Sequence, residues 1–300
     1  MHALPFLLAF AAAALLAPAM LRTLADGGHV RANYRERLLA FPFGVLIVAA
    51  ALIALIPLIL LQRLADARIF HPEVLPIALY ALGVAALGLI DDTLGEDSPR
   101  NTQASGGRGW SVWSDPPPPL VRRVPRGWRG HGRAALHGEL STGTLKAAGS
   151  LGLALFAMSF EGLSEPRWLL AVGVLVLATN VFNLLDLRPG RAIKAFVLLG
   201  AGLTLGSLDA RPLWSLGLFA APALVAGLYD LRERAMLGDT GANLLGALAG
   251  LWLVLTLSGA GQLVALALLV AITLYGELRS ISGFVERTPG LRALDSFGRP

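Results

Sequence analysis

The sequence predicts an all-α, polytopic integral membrane protein: a single membrane domain over residues 1–300 with about nine transmembrane helices. Three observations carry this. The 300 residues are 55% hydrophobic and 15% charged, with a mean hydropathy of +0.64, whereas a soluble domain carries about 25% charge. The apolar residues lie in continuous runs and do not alternate, which favours helices over a closed barrel. The basic residues fall mostly on one side of those runs. A soluble core, a fibrous repeat and a disordered chain are excluded. The absence of cysteine also excludes disulfides, a thiol nucleophile and Cys-ligated zinc.

Each run is judged against the ~20 apolar residues that a spanning helix needs. Residues 1–21 carry no charge; with no basic stretch ahead of them they read as an uncleaved helix and not a signal peptide. Residues 38–62 are uncharged, and 74–90 run up to the pair Asp91-Asp92. Residues 147–160 are short but follow the uncharged 140–145, with only Lys146 between. Residues 168–185 end at Asp186, 195–208 form a short run, and 212–229 are uncharged. Residues 240–276 are too long for one helix, and the turn signal Ser258-Gly259-Ala260-Gly261-Gln262 splits them in two.

With nine spans, one set of loops holds 21 of the Lys and Arg residues and the other holds only Arg63, Arg68, Arg167 and Arg211. By the positive-inside rule the rich side is cytoplasmic, so the N-terminus lies outside and the C-terminus in the cytoplasm. The pI near 10.2 is thereby a topology signal. No nucleic-acid partner is expected, while attraction to anionic lipid heads is compatible. The longest cytoplasmic loop covers 93–143. Its part from about 96 to 125 is of low complexity and includes four consecutive prolines, Pro116 to Pro119. Residues 133–146 are expected to form a short amphipathic surface helix.

The polar residues that could carry chemistry sit at the cytoplasmic ends of three spans. The third ends Gly88-Leu89-Ile90-Asp91-Asp92, the fifth runs from Asn180 through Asn183 to Asp186, and the eighth begins Gly238-Asp239-Thr240-Gly241-Ala242-Asn243. Carboxylates crowded at the hydrocarbon edge repel one another and lose hydration, so they need a cation or a raised pKa. Oxygen donors with no cysteine point to a hard ion. Mg²⁺ fits best, held by one or two carboxylates and phosphate oxygens, with Mn²⁺ allowed in its place. Asp91 and Asp92 stand about 100° apart on a helix, so one can face a metal while the other faces substrate. Asn180, Asn183 and Asp186 form a stripe by their i, i+3, i+6 spacing. Asp239 is placed to be the N-cap of the eighth helix, where phosphate is attracted. The competing readings are interfacial flanks for the aspartates and interhelical hydrogen bonds for the asparagines. The five histidines show no ligand spacing and are taken as surface residues, and Tyr229, Asp230 and Glu233 as loop polarity.

The ordered set resembles the polyprenyl-phosphate N-acetylhexosamine-1-phosphate transferase superfamily, which includes phospho-N-acetylmuramoyl-pentapeptide transferase and the undecaprenyl-phosphate N-acetylglucosamine-1-phosphate transferases. The matching pieces are Asn33-Tyr34-Arg35 with Pro42 and Gly44, Gly88 to Asp92, Lys146, Asn180 to Asp186, and Gly238-Asp239-Thr240-Gly241. The resemblance implies Mg²⁺-dependent transfer of a sugar-1-phosphate from a UDP-sugar to a polyprenyl phosphate, with release of UMP. The setting implied is cell-envelope glycan synthesis at the cytoplasmic face of a bacterial-type inner membrane, with a homodimer allowed. Carried over by position, Asp239 is the principal metal ligand, Asp91 orients or deprotonates the lipid phosphate, and Asp92 assists it or the metal. Lys146, Asn183 and Asp186 serve the phosphates and nucleotide, and Asn33 and Asn180 belong to the substrate-binding set. The chain departs from the family's pattern where Pro189 replaces a second Asp and Arg188 and Arg191 are added. It also lacks a His-rich motif in the last cytoplasmic loop, has Ala242 in place of Ser, and is without a tenth span. Arg188 and Arg191 are therefore candidate phosphate binders. They motivate an alternative, a non-catalytic lipid-phosphate-binding membrane protein; a transporter is the third reading.

Overall fold

The computed structural model describes residues 2–70, 74–95 and 142–300. The described residues are 77% helical. In chain order the elements are α1 (Leu4–Asp26), β1 (Val30–Ala32), β2 (Leu38–Ala40), α2 (Val45–Leu64), α3 (Val74–Leu94), α4 (Thr142–Met158), α5 (Glu165–Leu185), α6 (Arg191–Ser207), α7 (Arg211–Ser215), α8 (Gly217–Leu231), α9 (Gly238–Thr256), α10 (Gly259–Leu278), α11 (Ile281–Arg287) and α12 (Pro289–Ser296). The low-complexity stretch and the surface helix expected over 133–146 lie outside the described residues, except that Thr142 to Lys146 form the first turn of α4.

Among the described residues, each of the nine expected runs corresponds to a helix of at least 15 residues. Six of them (α1, α2, α3, α5, α9 and α10) are long and apolar enough to cross a membrane. The helices α4 and α6, at 17 residues, and α8, at 15, are shorter. The long run beyond residue 240 does split, between α9 and α10, where the Ser258 hydroxyl caps the new helix by accepting from the Gly261 N–H. The seventh run breaks at Leu216 into α7 and α8.

Two expectations are corrected. The second run is helical only from Val45; residues 38–40 are a strand, paired antiparallel with β1 in the register Val30–Ala40, a short hairpin in an otherwise all-α fold. The segment after it, through the cis peptide Phe41-Pro42, is pinned by backbone bonds from Phe43 N to Met236 O (2.7 Å) and Gly44 N to Leu237 O (2.9 Å). Helix formation there would forfeit those bonds. Asp239 is not the N-cap of α9: the helix starts one residue earlier, behind Leu237, and its amides are capped from another helix.

The bundle is built around α9, which packs against α5, α3 and α6. The most buried of the six long helices is also the least apolar. The α9 window has the lowest mean hydropathy of the six, 1.2, and is 83% buried, whereas α2 has 2.8 and is 33% buried. A helix facing lipid must be greasy, while a central one needs small residues that let backbones approach. Gly246 shows this, since a Cβ there would lie 2.6 Å from the Thr179 Cα of α5. The outward faces carry exposed rows such as Leu52, Ile56, Ile59 and Leu60 on α2 and Leu263, Val264 and Leu268 on α10. Water would not tolerate so much apolar surface, and a lipid bilayer is its medium.

Candidate active site

The site is built where the ends of α3, α4, α5 and α9 meet. Gly88 has no side chain, and a Cβ there would stand 2.4 Å from the Asp239 carbonyl oxygen. This absence lets the C-terminal part of α3 touch the first turn of α9. Gly238 takes φ +70° as the chain turns into α9, a conformation that favours glycine.

The two adjacent aspartates then point apart. Asp92 is 4% exposed and faces the N-terminus of α9. Its Oδ1 accepts from the Asp239 N–H (2.9 Å), and its Oδ2 from the Thr240 N–H (2.8 Å) and hydroxyl (2.6 Å). Both oxygens are taken by orphan donors of a helix start, the position where a carboxylate is most favourable. The structure thus gives Asp92 a capping role, in place of the free metal-facing carboxylate expected from sequence.

Asp91 turns toward Lys146 of α4. The Lys146 Nζ donates to Asp91 Oδ2 at 2.9 Å and also to Asp239 Oδ2. With its amide oriented to suit its neighbours, Asn183 of α5 donates to Asp239 Oδ1 (3.0 Å) and accepts from Lys146 Nζ (3.3 Å). The side chains stay reachable: Lys146 is 18%, Asp91 21% and Asp239 29% exposed. Four residues from four separate segments therefore share one cluster, an ammonium between two carboxylates with an amide closing the third side.

Asp186 follows α5 as its C-cap residue. Burial, with the carboxylates of Asp230, Asp239 and Asp92 close by, pushes its carboxyl well above the usual range, against the opposing pull of Arg191. It borders a small hollow together with Asn33, Tyr34, Arg188, Pro189 and Asp230.

The remaining expected residues are held elsewhere. Asn33 is buried and spent on its own turn: its Oδ1 accepts from Arg35 N (2.8 Å) and Arg37 N (3.0 Å), and its amide donates to Glu233 (3.3 Å). Asn180 donates to the Thr273 hydroxyl of α10 (3.2 Å), an interhelical bond. Arg188 lies over the Tyr34 ring at 4.4 Å and pairs with Glu286 at 2.8 Å. Arg191 is 7% exposed and directed at Asp295 and Ser282. Asn180 and Arg191 thus stand outside the cluster.

Sequence reasoning missed Glu233 and Asp230. The Glu233 side chain is fully buried against Arg35 and Arg37 (3.2 and 3.7 Å) and also accepts from Asn33 and the Tyr34 hydroxyl. Asp230 accepts from Gly190 N at 2.6 Å and Leu237 N at 3.4 Å. Both tie distant loops together beside Asp186. The available signal was their proximity in sequence to Gly238-Asp239, in a loop that touches the Asn33-Tyr34-Arg35 turn.

Among the described residues no three His, Asp or Glu side chains gather into a metal-binding group. The donor set still fits a hard divalent cation of the kind bound by one or two carboxylates and completed by phosphate and water. Asp239 and Asp91 already converge on one cation, the Lys146 ammonium. At the opposite end of α3 a cavity of about 420 Å³ is lined chiefly by apolar side chains, among them Ile69, Phe70, Ile77, Trp214 and Phe219. It is remote from these carboxylates. No protein-family model and no curated protein sequence matches the chain.

Proposed function

We propose that this protein is a Mg²⁺-dependent phosphotransferase that moves a sugar-1-phosphate, of N-acetylhexosamine type, from a UDP-sugar to a polyprenyl phosphate in the membrane and releases UMP. Its place is the cytoplasmic face of a bacterial-type inner membrane, with nine spans and the N-terminus outside. One observation carries the reading: Asp91, Lys146, Asn183 and Asp239 come from four motif segments spread from residue 91 to residue 239, and they meet at one end of the bundle. The family that these motifs resemble uses such groups for this reaction.

The chemistry asks for what the cluster offers. An oxygen of the lipid phosphate attacks the sugar-bearing phosphorus of the donor. The bond from that phosphorus to the bridging oxygen breaks, and UMP departs with the bridging oxygen. Two anions must approach, so cationic groups have to offset their repulsion. Asp239 would hold a divalent cation, which when bound would supply that charge and polarise the phosphoryl oxygens. Asp91 orients the attacking phosphate and accepts its proton where it carries one. Lys146 steadies the phosphates, and Asn183 holds the Asp239 carboxylate in register. Asp92 sets the position of Asp239 by capping its helix.

The non-catalytic lipid-phosphate reading rested on free arginines at 188 and 191, and these are paired with Glu286 and Asp295. The transporter reading wants carboxylates at midplane, while Asp91 and Asp239 stand at helix ends. The test is UMP release by purified protein given undecaprenyl phosphate, Mg²⁺ and a panel of UDP-sugars. Turnover with at least one donor is expected, with loss of at least about a thousandfold in Asp239→Ala and Asp91→Asn. Folded protein that releases no UMP from any donor refutes the reading.

A further inference from the structure

The Lys146 ammonium occupies the point on which the Asp91 and Asp239 carboxylates converge. Asp239 is the residue assigned above to hold the divalent cation, and Asn183 bonds to both Asp239 and Lys146. One small volume cannot hold an ammonium and a divalent ion on the same Asp239 oxygen. Two cations so close would repel by several kcal/mol even at an effective dielectric of about 20.

We propose that Lys146 is an exchangeable resident cation: it neutralises Asp91 and Asp239 in the metal-free protein, and metal entry displaces it from Asp239, which frees its ammonium for a phosphate group. This rests on the metal reading given above. The exchange is geometrically supported by the length of the side chain. A lysine has four methylenes and a rotatable ammonium, so it can leave one carboxylate and keep the other. Asp91, the second acceptor at 2.9 Å, is a retained anchor about which the chain can pivot. No covalent bond changes, and the only exchange is of one cation for another.

Lysine and metal are then competitors for Asp239, which is opposite to what a residue that helps to hold the metal site together would give. The experiment uses the full chain in detergent or nanodiscs and measures Mn²⁺ binding by the loss of the free-ion electron paramagnetic resonance signal, without substrate. Lys146→Met is expected to bind Mn²⁺ about tenfold or more tightly than the natural protein. Its thermal midpoint is expected to fall without metal and to recover when Mn²⁺ is added, because the two carboxylates lose their resident cation. Lys146→Gln, which keeps hydrogen-bonding capacity at the position, guards against a folding failure and is expected to show the same tighter binding. Asp239→Asn is expected to remove binding in either background. Equal or weaker Mn²⁺ binding by both Lys146 variants overturns the exchange while leaving the metal-dependent reaction standing. Absence of Mn²⁺ binding in every folded form overturns the exchange and the metal reading together.

Discussion

Asp91 and Asp92 are neighbours in sequence and identical in chemistry, yet the structure gives them different work. Asp91 faces Lys146 and keeps an opening to solvent. Asp92 is buried and caps α9 through three hydrogen bonds. Replacing Asp92 by Asn leaves one acceptor oxygen and turns an amide NH₂ toward a donor. The expected cost is about 2 kcal/mol of stability, read as a lower thermal midpoint than that of Asp91→Asn, whose position is partly hydrated. If Asp92→Asn melts with the natural protein, the capping role is wrong. At this scale the sequence was informative where polarity is out of place in a greasy chain, as with Asp91, Lys146, Asn183 and Asp239. It could not say which of two adjacent carboxylates would be buried, since that depends on the fit of Gly88 against Asp239. Nor could it separate Asn180 from Asn183: both lie on one stripe of α5, but only the second is level with the start of α9. Glu233 was hidden by its setting in a loop, where an acidic residue ordinarily signals nothing but hydration.

At the scale of elements, α11 is seated by Ile281 and by Phe284 against Tyr275, whereas α12 buries no residue and is held by polar ties. Arg191 and Arg299 both grip Asp295, Lys194 donates to the carbonyls of Leu294 and Asp295, and Arg299 donates to Pro189 O at 2.7 Å. These tie the C-terminal segment to the loop that follows Asp186. Burial acts to raise the Asp295 carboxyl, but the two arginines overcome it and hold it below the usual range. Because its folded pKa is depressed, this carboxylate contributes stability that is present above the ordinary aspartate pKa of about 3.9 and is lost as the pH falls through the lower, folded value. Asp295→Ala is expected to cost about 3 kcal/mol of local anchoring, since it leaves two arginines without their carboxylate. Amide exchange over residues 281–296 should then quicken by roughly a hundredfold at neutral pH while α9 stays protected. Unchanged exchange in that segment would show that the ion pairs do not hold it. None of this tie was legible in the sequence, because Arg191 and Asp295 are 104 residues apart and no local pattern joins them. The apolar helices were legible, since hydropathy runs need only local information, whereas α11 and α12, beyond the last apolar run, were not. Nor was the start of the second run, where residues 38–40 form a strand and Phe43 and Gly44 are held by backbone bonds to Met236 and Leu237.

For the whole molecule, the scarce charge is arranged by face. The carboxylates of the candidate site end α3 and begin α9, at the same end of the bundle as the hairpin β1–β2, the loop after α5 and the C-terminal helices. Of the 25 Lys and Arg residues, 21 belong to segments at that end by the sequence assignment. If a biological membrane orients the chain by this bias, the cluster, the hollow beside Asp186 and both ends of the Asp295 tie all face the cytoplasm, where a soluble nucleotide donor would be found. The three shorter helices matter here. At about 1.5 Å per residue, α4, α6 and α8 are 23–26 Å long against a hydrocarbon core of about 30 Å. They can span only with local thinning or with flanking residues that continue the path. Removing any one from the count reverses the side of every loop after it. The chain has no cysteine, so single cysteines report topology without background. Asp66→Cys, in the loop between α2 and α3, is expected to react with a membrane-impermeant maleimide in intact cells. Arg232→Cys, after α8, and Arg287→Cys, at the end of α11, are expected to react only after permeabilisation. Labelling of Arg287→Cys but not Arg232→Cys from outside would show that the chain crosses once between them, not twice, and would remove one of α9 and α10 from the spans. Labelling of Arg232→Cys from outside would put the loop preceding Asp239 on the external face, with the candidate cluster beside it, away from any cytoplasmic nucleotide, and the proposed reaction would then fail on topology alone.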